Sequence, residues 1–157
     1  MKVPFVACSA LVAALSATPS NAAEWWWIGN VSEPKKPIEQ LLFADAKSLS
    51  AAPDWISVRT RQYYYSAPHP NVFYFEVDQQ VNCPTKRIRP IFLAAYDRHD
   101  RLVGSDAGGI WLDTPTGSLG DQIYRFACEN ERPNRGPLPA NRNLSEAADI
   151  LMSARRN

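Results

Sequence analysis

The sequence predicts an α+β fold: an antiparallel sheet of about six strands with one helix tethered to it by a disulfide. Three observations point there. Between Trp25 and Leu112 the chain breaks into short apolar or alternating runs separated by Pro, Gly, Asn and Asp. After Ser118 the apolar period lengthens to that of a helix. Cys83 and Cys128, the two cysteines left behind an export leader, sit in the strand region and near the end of that helix.

Residues 1–22 read as a signal peptide. Lys2 supplies the charged start, and Val3 to Leu15 form an apolar core broken only by Pro4, Cys8 and Ser9. Ser20-Asn21-Ala22 offers the small residues a signal peptidase reads, with Asn21-Ala22-Ala23 as a near-equal frame. The apolar run is too short to span a bilayer, which needs roughly 20 residues. Phe5-Val6-Ala7-Cys8 faintly resembles a lipidation box, but cleavage there leaves too few apolar residues upstream. The expectation is an exported protein, periplasmic or at the cell surface, with no membrane insertion after the leader is removed. Cys8 departs with the leader, so Cys83 and Cys128 should pair where thiols oxidise.

About 135 residues remain, enough for one domain with a buried core. That domain is placed at 23–131, and 132–157 reads as a flexible Pro-rich linker with a short C-terminal helix. The 17 Lys and Arg against 16 Asp and Glu leave the exported part balanced once Lys2 is gone. A balanced chain has no net attraction for nucleic acid or anionic membrane, so no nucleic-acid partner is expected. Arginine outnumbers lysine 12 to 5, and 5 Trp, 6 Tyr and 6 Phe are many for this length. Aromatic residues favour strands and also binding surfaces.

Taken in order, Trp25-Trp26-Trp27-Ile28-Gly29 is a first strand, apolar on both faces and so covered on both. Ser32 to Pro37 is a loop. Leu41-Leu42-Phe43-Ala44 is a second strand ending at Asp45, and Asp45 to Pro53 is a turn-rich connection in which Asp45 and Ser48 bond nearby backbone. Trp55 to Tyr65 alternates: Ile56, Val58 and Thr60 face one way, Ser57, Arg59 and Arg61 the other, as in a half-solvated antiparallel strand. Ala67 to Asn71 turns. Val72 to Gln80 pairs back with Phe73, Phe75 and Val77 inward and Tyr74, Glu76 and Asp78 outward, which sets Arg opposite acid across the polar face.

Arg87 to Tyr96 is the next strand, and Pro90 within it marks a bulge or a free edge. Asp97 to Asp100 is a tight hairpin turn, Leu102 to Ser105 returns, and Gly108-Gly109 turns again into Ile110-Trp111-Leu112. Local pairing makes these strands a meander. Ser118 caps a helix in which Asp121 completes a capping-box pattern and Leu119, Ile123, Phe126 and Ala127 share one face. Arg132 to Ala140, with three prolines and a glycine, reads as the linker. From Asn143 to about Arg155 a last helix carries a thin apolar stripe of Leu144, Ala148 and Leu151.

Catalytic groupings are sparse. His69 sits between prolines, and His99 lies in Asp97-Arg98-His99-Asp100, whose neighbours splay apart in a turn. No serine stands in a nucleophile elbow, and the glycines at 104, 108 and 109 are hairpin glycines rather than a phosphate loop. The expectation is a non-catalytic protein with no cofactor and no metal. The best candidate binding strip is Arg59, Arg61, Tyr63, Tyr64 and Tyr65; its plainer alternative is a strand whose alternate tyrosines are half-buried.

Several widely spaced residues carry a resemblance. They are an early Trp followed by Ile28-Gly29; an apolar strand ending at Asp45 with Ser48 after it; Val81-Asn82-Cys83 followed by Lys86-Arg87-Ile88-Arg89; Tyr96-Asp97; then Trp111, Pro115, Gly117-Ser118 and Cys128. From Trp25 to Cys128 the chain resembles the surface-adhesin protein E family, small exported domains of Gram-negative bacteria. The resemblance implies a twisted antiparallel sheet with a disulfide-tethered helix, and binding of host matrix or plasma proteins. The chain departs from it at Asn82, where an acidic residue commonly stands, and in offering no usable lipidation site. The expected function is an exported protein-binding module, its partner unidentified and its oligomeric state open, acting through a sheet edge or the aromatic–arginine strip. The alternative is a periplasmic enzyme inhibitor or envelope-assembly factor that inserts the loop at 97–100 or 67–71.

Overall fold

The computed structural model describes residues 22–31, 39–65 and 71–154. The expected leader as far as residue 21 with Cys8, the expected loop at 32–37, the expected turn at 67–70 with His69, and Arg155 lie outside them. Seven strands form one sheet: β1 (Trp25–Val31), β2 (Gln40–Ala51), β3 (Ile56–Tyr64), β4 (Tyr74–Asn82), β5 (Arg87–Tyr96), β6 (Leu102–Ala107) and β7 (Leu112–Asp113). Two helices follow, α1 (Leu119–Cys128) and α2 (Leu144–Ser153). Every pairing is antiparallel, and β1 to β6 lie in chain order, as the meander expectation has it. The fold is α+β. β7 departs from strict order: it passes β6 and pairs with β5, Ile88 opposite Leu112 and Arg87 opposite Asp113.

Both faces of the sheet are covered, each by a different helix. On one face Leu42, Ala44, Val58 and Val81 pack with Ile123, Tyr124 and Phe126 of α1. On the other Leu41, Phe43, Tyr63 and Tyr74 pack with Leu144, Ala148 and Met152 of α2. The tryptophans of β1 divide as alternation requires, Trp25 and Trp27 to the α2 side, Trp26 and Ile28 to the α1 side. Because α2 docks, Tyr74 is buried rather than outward. Leu144 and Ala148 of the expected stripe are buried; Ala147 and Met152 complete it.

β2 does not stop at Asp45. It continues to Ala51 through an irregularity between Asp45 and Ser50. The side chains expected to build a turn hold this bulge instead. Asp45 Oδ1 accepts from the Glu24 and Lys47 N–H groups, and Ser48 Oγ accepts from Arg59 N–H while donating to Asp45 O. They replace the ladder bonds that the extra residues lose. Across β4–β5 the register slips between Asp78 and Gln79, beside Pro90, as the missing donor requires.

Ser118 Oγ accepts from Asp121 N–H at 3.1 Å, while Asp121 Oδ2 accepts from Gly117 N–H at 3.0 Å, so the reciprocal cap reaches one residue further back than the usual box. At the other end of α1 the Cys83–Cys128 disulfide joins the helix to the exit of β4, with Cα atoms 5.7 Å apart. Gly29 lies under α1, where a Cβ would run into the Gln122 amide. The segment 132–140, read as a linker, lies along β1. Leu138 N–H donates to Trp25 O at 2.8 Å, Arg132 lies 3.8 Å over Phe126, and Arg135 lies 4.7 Å over Trp27.

The disulfide closes a loop of sequence separation 45. Cys128→Ser is expected to lower stability by about 4 kcal/mol, chiefly by freeing the unfolded chain. Urea unfolding under non-reducing conditions checks this; an unchanged midpoint contradicts it.

Candidate functional site

The register sets three rows across the α2 side of the sheet: Leu41, Tyr63, Tyr74, Tyr96 and Leu102; then Phe43, Arg61, Glu76, Ala94 and Ser105; then Asp45, Arg59, Asp78, Phe92 and Ala107. The first row is an aromatic floor beneath α2. Tyr63 is fully buried there, with ring centroids of Phe43, Phe73 and Tyr74 at 5.7, 5.3 and 4.9 Å. Its hydroxyl lies 3.3 Å from Ser145 Oγ of α2. Burial pushes the Tyr63 and Tyr74 phenols above their ordinary pKa.

In the second and third rows each arginine is paired with a carboxylate of β4. Arg61 Nε donates to Glu76 Oε2 at 2.7 Å, and its guanidinium lies over the rings of Trp25 (4.9 Å) and Tyr74 (5.1 Å). Burial works against the Arg61 charge, but the Glu76 hydrogen bond and the neighbouring groups outweigh it and raise its pKa. Arg59 makes two bonds to Asp78, 2.7 and 2.9 Å, and that pairing is the main cause of its raised pKa. An open groove of about 440 Å³ beside this row is lined by Asp45, Lys47, Arg59, Asp78 and Ile91, two cations against two anions.

The five residues of the proposed strip therefore do not form one surface. Arg59 and Arg61 are committed to Asp78 and Glu76, and Tyr63 is core. Alternation turns Tyr64 to the α1 side, edge-on to Phe75, and Tyr65 follows the strand end, 38% exposed. His99 lies in the exposed β5–β6 turn, and among the described residues no three His, Cys, Asp or Glu side chains are grouped to hold a metal ion. No described helix is long and apolar enough to cross a membrane.

Exposed apolar surface collects elsewhere. Of the nine large hydrophobic side chains exposed among the described residues, six lie along one margin: Ile91 and Phe92 of β5, Leu102 and Val103 of β6, and Ile110 and Leu112 at β7. Every residue of β6 is exposed. Gly108 N–H donates to Ile91 O at 3.0 Å, so the N–H and C=O groups of Ala107 and Ser105 point away from β5. Asp106 Oδ1 accepts the Ala107 N–H at 2.8 Å, and nothing among the described residues takes that of Ser105. β6 holds neither proline nor lysine; its only edge features of that kind are the extra residue at Val103, where the register slips against Ala95 and Tyr96, and the charge of Asp106, and the stretch from Gly104 to Ala107 stays regular. The β1 margin is guarded, by Leu138 and the two stacked arginines.

No family model, curated protein or solved structure matches this chain. Its geometry therefore carries the functional reading. The β6 margin was not singled out residue by residue in the sequence. Its signal was there in Leu102-Val103, two apolar neighbours in the last full strand of a meander, with no later strand of comparable length to cover them.

Beside that margin, the β5–β6 turn is held by Asp97, which accepts from the N–H groups of Arg101 and His99 and from Arg101 Nε. These bonds, the Arg101 N–H first, hold its carboxyl at a pKa of about 2.

Two outcomes follow from these contacts. Arg61→Ala removes the close partner of the largely buried Glu76, leaving it only the longer 3.7 Å contact to Arg59, and is expected to cost about 2 kcal/mol, against less than about 1 kcal/mol for the more exposed Arg59→Ala. Chemical denaturation orders the two, and an equal loss contradicts the account. The Asp97 pKa falls on folding, so the stabilisation it lends is present above the unfolded value of 3.8 and is lost as pH drops through about 2. The His99 and Arg101 amide protons should shift with a midpoint near pH 2. A midpoint near 3.8 in the NMR titration means the turn contacts are absent.

Proposed function

We propose that the chain is an exported, non-catalytic protein-binding module, adhesin-like in the manner of the surface-adhesin protein E family, whose working surface is the β5–β6–β7 margin. The single observation that carries this reading is the gathering of exposed apolar side chains along one open sheet edge. Contiguous apolar surface on a soluble domain marks interaction sites, and an open edge offers a partner backbone hydrogen bonds as well. The disulfide between Cys83 and Cys128 supports an oxidising compartment, periplasmic or cell-surface. The arginines of the central strands are tied to carboxylates of the same sheet, which favours the edge over the strip as the place of contact.

A second reading has one observation in its favour. The turn from Asp97 to Asp100 is preformed, with Asp100 at a φ of 56°. A preorganised hairpin tip suits a periplasmic inhibitor or envelope-assembly factor that inserts a loop into a cleft. Protease treatment of intact cells separates the two: it removes a surface adhesin and spares a periplasmic protein.

Folded, oxidised protein is expected to bind immobilised host matrix or plasma proteins saturably at micromolar concentration, with Leu102→Asp and Ile110→Asp lowering the bound amount several-fold while leaving the thermal midpoint near that of the parent. Absence of binding at that concentration, or binding that ignores both variants, contradicts the reading.

A further inference from the structure

β6 carries more chemistry than bare backbone. Its side chains on the α2 side are Leu102, Ser105 and Ala107. Ser105 and Ala107 are small, and Phe92 stands directly opposite Ala107, 43% exposed. A strand laid outside β6 could thus reach over the small pair and cover Phe92 with a large apolar side chain. On the other side stands Asp106, opposite Leu93. Asp106 accepts only the neighbouring Ala107 N–H, and no ion pair joins it among the described residues. Arg101, the nearest cation in sequence, is taken by Asp97 at 2.7 Å.

We propose that β6 takes up an extended partner segment by antiparallel strand addition, the segment presenting apolar side chains to Leu102 and Phe92 and a Lys or Arg to Asp106. This rests on the protein-binding reading and names the chemistry of its partner. The added strand donates to and accepts from the outward groups of Ser105, and alternation delivers its two kinds of side chain to the two faces. The occupant is a basic, apolar segment of another protein rather than a second copy of this chain. A second β6 brings another Asp106 and no cation, since Leu102 to Ala107 includes no Lys or Arg.

The test uses the full oxidised protein and two synthetic nine-residue peptides, one alternating Val and Lys, the other Val and Glu. The Val–Lys peptide is expected to bind at least about threefold more tightly and to slow hydrogen exchange at the Ser105 amide. Ser105→Pro removes the outward N–H at an edge position where proline is tolerated, and should abolish that binding while near-ultraviolet circular dichroism stays unchanged. Asp106→Lys, which does not depend on the proline variant folding, should reverse the preference toward the Val–Glu peptide. Equal binding of the two peptides, or binding that leaves the Ser105 amide as exchangeable as before, overturns the proposal. If a matrix protein binds and Ser105→Pro retains full affinity for it, strand addition is overturned while the binding reading stands. If no matrix protein binds but the Val–Lys peptide protects Ser105, strand addition stands and the adhesin reading falls.

Discussion

An antiparallel sheet that does not close on itself leaves two margins of unpaired backbone, and this chain covers one of them. Its other features arrange themselves around that constraint. The segment after α1 runs back along β1, where Leu138 N–H satisfies Trp25 O and Arg135 stacks on Trp27. The same segment delivers α2 to the aromatic floor formed by Tyr63, Tyr74 and Tyr96. α1, pinned by Cys128 to the exit of β4, covers the opposite face. The two helices thus pack on the two faces, the strap lies along β1, and among the described residues nothing covers β6. An open edge invites unwanted pairing, so a chain that keeps one either tolerates the hazard or uses it.

The central strands illustrate how burial decides what a residue is available for. Arg59 and Arg61 next to three tyrosines suggest a sticky surface when met in sequence. In the fold, each guanidinium faces a carboxylate on β4, and Arg61 is further enclosed by Trp25 and Tyr74. Those contacts hold β3 to β4 and carry the polar part of the α2 side. Surface chemistry is displaced outward, to the last strands, β6 and β7, whose residues are exposed. The turn held by Asp97 then fixes the start of β6, which joins β5 through a one-residue slip at Val103.

Much of the architecture was legible in the sequence. Alternation in Trp55 to Tyr65 gave the faces of β3, Pro90 gave the β5 irregularity, and Ser118 with Asp121 gave the start of α1. The disulfide followed from Cys83 and Cys128 being the two cysteines outside the segment read as a leader. What the sequence concealed were effects of tertiary covering. Tyr74 reads as outward because its neighbours Glu76 and Asp78 are polar; only the docking of α2 buries it. Asp45 and Ser48 have turn chemistry, and nothing local says that they bridge a bulge within a continuing strand. The candidate strip failed as one surface for a simpler reason, since consecutive tyrosines in a strand must point to opposite faces. The β6 margin is a property of strand order, and order is not written in any one segment.

Amide hydrogen exchange on the free, oxidised protein tests the open margin most directly. Ser105 N–H faces away from β5 and Asp106 N–H faces toward it, so the two neighbours report on the two sides of one strand. The account predicts exchange at Ser105 close to the rate of an unstructured chain, with Asp106 slower by about a hundredfold or more. Equal protection at the two positions would contradict it, because the edge would then already be paired.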